Sequence, residues 1–219
     1  MKNLTDINLF LLDMDGTVYL GDTLLPGAKE FIDLLDARGI GYLFLTNNSS
    51  KHQGQYAKKL SKFGLNISED KIFTSGEATA IYIGKAKPGA KIFMVGTPAL
   101  EDEFKAHDFI LTEDNPDYAV LGFDTTLTYK KLWQLCDFVR AGVPYIATHP
   151  DFNCPIEGGF LPDIGAMIAF VEASTGKRPD VIVGKPYQPI IDAVVEKSGT
   201  PIGKICMVGD RLYTDIALG

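Results

Sequence analysis

Four short apolar runs in this sequence each stop on polar residues, and that pattern constrains the fold more than any other feature. Ile7–Leu12 stops at Asp13, with Asp15, Gly16 and Thr17 close behind. Tyr42–Leu45 stops at Thr46, Asn47 and Asn48. Val181–Val183 stops at Gly184, Lys185 and Pro186. Ile205–Val208 stops at Gly209 and Asp210, with Thr214 and Asp215 further on. Short apolar runs of this kind read as strands buried on both faces, which is the habit of parallel sheets. Open parallel sheets bind ligands beyond the carboxyl ends of their strands. The pattern therefore predicts an α/β fold with four polar strand ends at its binding edge.

Helical patterns separate the runs. Pro26 to Arg38 reads as a helix with proline near its start and Gly39 as its stop. His52 to Phe63 reads as a second, ending at Gly64. Near residue 80 the alternation restarts, with strands expected at Ile92–Val95, Tyr118–Leu121 and Tyr145–Ala147. Thr128 and Asp163 are expected helix caps, before Tyr129–Ala141 and before a helix running to Gly176. The simplest organisation is a discontinuous core, residues 1–79 and 181–219, with an α/β unit of residues 80–180 inserted in it.

A length of 219 residues suits one large domain or two small ones. The net charge of −7 argues against a broad nucleic-acid or anionic-membrane surface. An anionic small substrate stays compatible, because local cations and a metal can reverse the local field. No apolar stretch approaches the about 18 residues of a membrane span, and the short N-terminal run ends in Asp13. A cytoplasmic location is expected. The three cysteines, Cys136, Cys154 and Cys206, show no metal-ligand or redox spacing. The run Glu101-Asp-Glu103 reads as a solvated helix face, and Trp133, Phe152 and Phe160 read as packing residues.

The residue types at the four strand ends fit one chemistry. An aspartate such as Asp13 can attack phosphorus and form an aspartyl-phosphate. A carboxylate beside a phosphate dianion needs charge neutralisation, which Mg²⁺ on oxygen ligands supplies. Asp13 and Asp210 are the natural side-chain ligands. Asp15 can protonate the leaving oxygen and then activate water. Gly16 lets backbone approach the phosphate, and Thr46 and Asn47 can donate to phosphoryl oxygens. Lys185 adds a fixed cation where charge concentrates.

Asp13-Met-Asp15-Gly-Thr17-Val, Thr46-Asn-Asn48, Gly184-Lys185-Pro186 and Gly209-Asp210-Arg-Leu-Tyr-Thr-Asp215 resemble, in order, the four motifs of the haloacid dehalogenase superfamily. The inserted unit resembles the C2-type cap of its NagD-like and p-nitrophenyl phosphatase branch. Thr74-Ser-Gly-Glu-Ala-Thr79, Ile146-Ala-Thr-His-Pro-Asp151 and Ala173-Ser-Thr-Gly-Lys-Arg-Pro179 support that branch. The resemblance implies a Rossmann-like parallel-sheet core with an inserted α/β cap. It implies a Mg²⁺-dependent phosphomonoesterase acting on a small phosphorylated metabolite: a sugar or polyol phosphate, a nucleotide or an aryl phosphate.

By the same resemblance, Asp13 is the nucleophile and a metal ligand. Asp15 is the general acid/base, with its backbone carbonyl on the metal. Thr46 and Asn47 hold the phosphoryl group with Asn48 beside them, and Thr17 joins these substrate contacts. Lys185 bridges nucleophile and phosphate, Asp210 ligates Mg²⁺, and Asp215 acts from behind the ligands. His149 is read either as a cap-loop histidine or as a substrate contact. The family often has Asn at the position of His149 and Gly at that of Asp163. Relatives continue past the fourth motif, whereas this chain stops at Gly219, so an apparently incomplete core with an uncovered sheet edge is expected.

A dehalogenase would not need Asp15 or Mg²⁺, and a phosphonatase would need a cap lysine that no context singles out. The alternative from another class is a non-catalytic phospho-acceptor or phosphate-binding protein on the same scaffold. Receivers of that kind lack both an acid two residues after the acceptor and an insert of this size. The cap is expected to offer surfaces for a homodimer or higher homo-oligomer, with no sequence feature that fixes one.

Overall fold

Residues 6–156 and 158–219 are described by the structure, a computed structural model. In chain order its elements are β1 (Leu9–Leu12), β2 (Tyr19–Leu20), β3 (Thr23–Leu24), α1 (Ala28–Ala37), β4 (Gly41–Thr46), α2 (Gln53–Lys62) and β5 (Ile72–Thr74). Then come α3 (Ser75–Ala86), β6 (Lys91–Val95), α4 (Pro98–Ala106), β7 (Ile110–Leu111), β8 (Tyr118–Leu121), α5 (Tyr129–Arg140) and β9 (Tyr145–Ala147). The last are β10 (Asn153–Ile156), β11 (Gly159–Pro162), α6 (Ile164–Thr175), β12 (Val181–Ile182), α7 (Gln188–Ser198) and β13 (Ile205–Val208). They divide into two units. The first holds the segment ending at Thr46, Gln53–Thr74 and Lys185–Gly219; the second holds Asn47–His52 and Ser75–Gly184.

The first unit is built on a parallel sheet of order β13-β1-β4-β5. All four residues of β1 are buried, as a central parallel strand requires. Leu12 lies opposite both Phe44 and Val208, so β1, β4 and β13 end side by side. That register carries Asp13, Thr46 and Gly209-Asp210 to one edge of the sheet. The sheet packs against Ile32 and Leu35 of α1 and Tyr56 and Leu60 of α2. After α1 and α2 the chain turns through Gly39 (φ 63°) and Gly64 (φ 78°), left-handed positions that favour glycine.

The second unit has its own parallel sheet, of order β12-β9-β8-β6-β7, and a separate antiparallel hairpin, β10-β11. Phe93, Val95, Ala119, Leu121, Leu135, Val139 and Ile168 form its core. The Thr128 hydroxyl accepts from Lys131 N at 3.3 Å and opens α5. The Asp163 carboxylate accepts from Ile164 N at 2.7 Å and opens α6, which stops at Gly176. Both helix caps match the sequence reading.

One strand does not. Val181–Val183 reads as part of the core sheet, yet β12 pairs with β9 at an edge of the second sheet. Asp180 ties it there: Tyr145 N donates to its carboxylate at 2.7 Å, and its own N–H donates to Tyr145 O at 2.8 Å. A three-residue apolar run carries no address of its own, and these bonds supply one. The units divide after Thr74 and after Gly184, and Asn47–His52 groups with the second; the sequence reading divides the chain at 79/80 and 180/181. Glu103 is buried on α4 instead of solvated, while Trp133, Phe152 and Phe160 are exposed instead of packed. Among the described residues, no helix is long and apolar enough to cross a membrane.

Candidate active site

In the first unit, polar groups gather at the edge where β1, β4 and β13 end. Lys185 is buried to 2% exposure, and its Nζ donates to Asp13 Oδ1 and Asp215 Oδ1, both at 2.6 Å, and to Leu45 O at 3.1 Å. Asp215 Oδ2 accepts from Arg211 N at 3.1 Å, so both its oxygens hold protein donors. Asp13, Asp210 and Asp215 each aim an oxygen into one cluster, with these atoms within 4.8 Å of one another. Asp210 enters because residue 16 is glycine: a Cβ there would come within 2.5 Å of Asp210 Oδ2, and φ is +98°. A Cβ at Gly209 would overlap Asp215 in the same way. The Thr17 hydroxyl donates to Asp210 Oδ1 over a long 3.4 Å, and Thr46 is buried at the end of β4.

Among the described residues of this cluster, three carboxylates face one ammonium, an excess of two negative charges. Burial, only partly offset by Lys185, and then the Asp215 and Asp210 charges push Asp13 up to about 6 from 3.8. Burial also opposes the charge on Lys185, but Asp13 and Asp215 outweigh it and hold the ammonium above the usual lysine range. An all-oxygen cluster with excess negative charge is suited to a hard divalent cation. Asp13 and Asp210 have the geometry to hold one, with Asp215 committed to Lys185 and Arg211 behind them.

Asp15 belongs to neither acidic cluster among the described residues. It is half-buried, and the Tyr19 hydroxyl donates to its Oδ2 at 3.2 Å. Burial and then the Asp15 charge hold the Tyr19 phenol far above the ordinary tyrosine range, so it stays a donor.

The second unit holds Asn47, Asn48 and His149. Asn47 is buried; its amide donates to Asp151 Oδ2 at 3.3 Å and its backbone carbonyl accepts from the Ser75 hydroxyl. A Cβ at Gly184 would lie 2.7 Å from both Asn47 Oδ1 and His149 Cβ, so only glycine lets this strand end pack here. Asn48 Oδ1 accepts from Ser50 N at 2.9 Å and Ser50 Oγ at 2.6 Å, closing a local turn. His149 is fully buried; its Nε2 lies 3.0 Å from Asp163 Oδ1 and its Nδ1 3.2 Å from Thr148 Oγ1.

Comparison with known proteins agrees with these strand-end motifs. The family described as haloacid dehalogenase-like hydrolase matches residues 10–110, and a second HAD-hydrolase-like family matches residues 182–219. The acid sugar phosphatase of Staphylococcus aureus is 39% identical over 211 residues, covering 96% of this chain and 81% of its own. The chain belongs to the haloacid dehalogenase-like hydrolases. It is NagD- and p-nitrophenylphosphatase-like within them. The structure of 4-nitrophenylphosphatase from Thermotoga maritima superposes with a TM-score of 0.96 at 49% identity, over 99% of this chain and 83% of that one. Glycerol phosphate phosphatase from Mycobacterium tuberculosis, crystallised with calcium, matches at TM-score 0.88 and 32% identity, over 97% and 63% of the respective chains.

In this haloacid dehalogenase-like hydrolase, His149 is held within the protein. Both its ring nitrogens meet protein groups, so it presents no free nitrogen to a substrate. Its partner Asp163 is also the residue that caps α6. The two form one buried pair, the histidine matched by the acid. His149→Asn is expected to lower stability by about 1–3 kcal/mol, because Asp163 loses a buried partner. In a double-mutant cycle with Asp163→Gly, the two losses should fall short of additivity by about 0.5–3 kcal/mol. Urea denaturation of the four proteins measures this, and strictly additive losses would dissolve the pair.

Tyr19, Ser75 and Asp151 carry contacts to the motif residues that the sequence reading did not assign. For Tyr19 the only signal was its spacing, four residues after Asp15. Asp151 and Ser75 lie in the stretches that support the branch, but nothing in the sequence pairs either with Asn47.

Proposed function

We propose that this chain is a Mg²⁺-dependent phosphomonoesterase working through an aspartyl-phosphate on Asp13. As a phosphatase of the haloacid dehalogenase type it acts on small phosphorylated molecules. The observation that carries the mechanism is Lys185, buried and bonded at 2.6 Å to both Asp13 and Asp215 beside Asp210. Such a cluster is costly to bury unless a cation completes it, and the bound cation then offsets an approaching anionic group.

In this reading an Asp13 oxygen attacks phosphorus and the bond to the ester oxygen breaks. Asp15, in its acid form, gives that oxygen a proton. Water then attacks the phosphorylated Asp13 as Asp15 takes its proton, and inorganic phosphate leaves with the Asp13 carboxylate restored. Lys185 keeps Asp13 oriented and offsets charge as phosphoryl oxygens approach. Thr46, Asn47 and Thr17 are proposed phosphoryl contacts, Asn47 through its backbone since its side chain is held by Asp151. Held by Asp13 and Asp210, with the Asp15 carbonyl beside them, Mg²⁺ would supply neutralisation of the phosphate dianion.

The relatives' names point to sugar, glycerol and 4-nitrophenyl phosphates, and a sugar or polyol phosphate is proposed here. The second unit, as an inserted cap, is proposed to select among such esters. Hydrolysis of 4-nitrophenyl phosphate is expected to stop on chelation with EDTA and to return on addition of Mg²⁺. An unchanged rate in EDTA would sink the metal-dependent reading. The phospho-acceptor alternative has no observation in its favour, and Asp15 argues against it by providing a group to hydrolyse the phosphoenzyme.

A further inference from the structure

Asp15 has to deliver a proton to the leaving oxygen, yet it is half-buried and belongs to neither acidic cluster. What holds it is local. Val18 N and Tyr19 N donate to Met14 O at 2.9 and 3.1 Å, and Gly16 N donates to Tyr19 O at 2.8 Å. This tight turn brings residue 19 back over residue 15, and the two form an isolated β-bridge. The Tyr19 ring is fully buried, 5.5 Å from the Phe63 ring, with Lys59 Nζ 3.8 Å from its centroid on α2. A ring clamped this way cannot swing, so its hydroxyl holds Asp15 Oδ2 from a fixed point.

We propose that Tyr19 is the positioning residue for Asp15, holding Oδ2 so that Oδ1 is the oxygen that carries the proton to the leaving group. The inference rests on the phosphatase reading above and deepens it. Tyr19 touches neither the phosphoryl group nor the ester in this account; it acts only through Asp15. Its effect must therefore depend on how much protonation the leaving group needs. An alkoxide leaves poorly without a proton, whereas 4-nitrophenolate leaves as a stable anion. The dependence belongs in kcat/KM, which reports the step that forms the phosphoenzyme.

Tyr19→Phe is expected to lower kcat/KM for glycerol phosphate by about 10- to 100-fold, a share of what a general acid provides, and for 4-nitrophenyl phosphate by less than about threefold. In an Asp15→Asn background the same substitution should cost nothing further on either ester. Equal losses on the two esters, no loss on either, or a full further loss in the Asp15→Asn background would each overturn the assignment. Should Tyr19→Phe fail to fold, Lys59→Met decides: it frees one ring face, and a loss confined to the alkyl ester supports the proposal while a uniform loss or none refutes it. A wild type inactive on both esters would instead refute the phosphatase reading itself.

Discussion

Asp13→Asn is expected to reduce phosphatase activity by at least about 10,000-fold, as removal of a covalent nucleophile does, while leaving the metal-free protein at neutral pH no less stable than the parent. The second half follows from charge. Asp13 is 8% exposed and shares its site with Asp210 and Asp215, so its ionised form is disfavoured when no cation is bound, and its pKa rises to about 6. The folded state thus holds the Asp13 proton more tightly than the unfolded chain does. This contribution is fully present below 3.8 and is lost as pH rises through about 6. The loss is about 3 kcal/mol over that window, at about 1.4 kcal/mol per pH unit. Asparagine cannot ionise and escapes it, while Lys185 keeps its bond to Asp215. Denaturation in EDTA between about pH 4 and pH 7 should show the parent losing stability and the variant staying nearly level. Turnover by the variant close to the parent's would remove Asp13 as nucleophile.

Lys185→Met should be inactive and unstable together. Methionine fills much of the same volume, but Asp13 and Asp215 lose the one ammonium bonded to both. Removing one partner from a buried charge cluster costs about 3–5 kcal/mol, a large part of a domain's total stability. Activity should fall by on the order of 1,000-fold or more if Lys185 has the proposed role of orienting Asp13 and offsetting charge in transfer. The contrast with Asp13→Asn is the informative result: two inactive proteins, one stable and one not. Mg²⁺ should recover part of the lost stability by neutralising the exposed acids. A melting temperature unchanged from the parent would show that Lys185 is not the counter-charge.

The layout of the first unit could be read almost directly. Short apolar runs become parallel strands because burial on both faces leaves no room for polar alternation, and β1, β4 and β13 lie where the runs were. Thr128, Asp163 and Gly176 mark helix ends through local bonds between near neighbours, which sequence can show. The hairpin β2-β3 and helices α3 and α7 were not anticipated, because short or evenly apolar segments lack a distinct period. β12 was misplaced for a different reason. Its few apolar residues suit either sheet, and Asp180 decides between them through bonds to Tyr145.

Residue types at the strand ends determined the chemistry that this chain can perform: two acids after β1, a hydroxyl closing β4, a lysine, and two more acids after β13. Those types follow from what phosphoryl transfer demands and need no coordinates. The tertiary structure alone decided which of them meet. It placed Asp13, Asp210 and Asp215 in one cluster with Lys185 between two of them, and tied Asp15 to Tyr19. It turned Asn47 toward Asp151 and His149 toward Asp163. The reason is physical: hydrogen bonds and charge coupling act over a few ångströms, and the folded chain brings residues more than 100 positions apart within that distance.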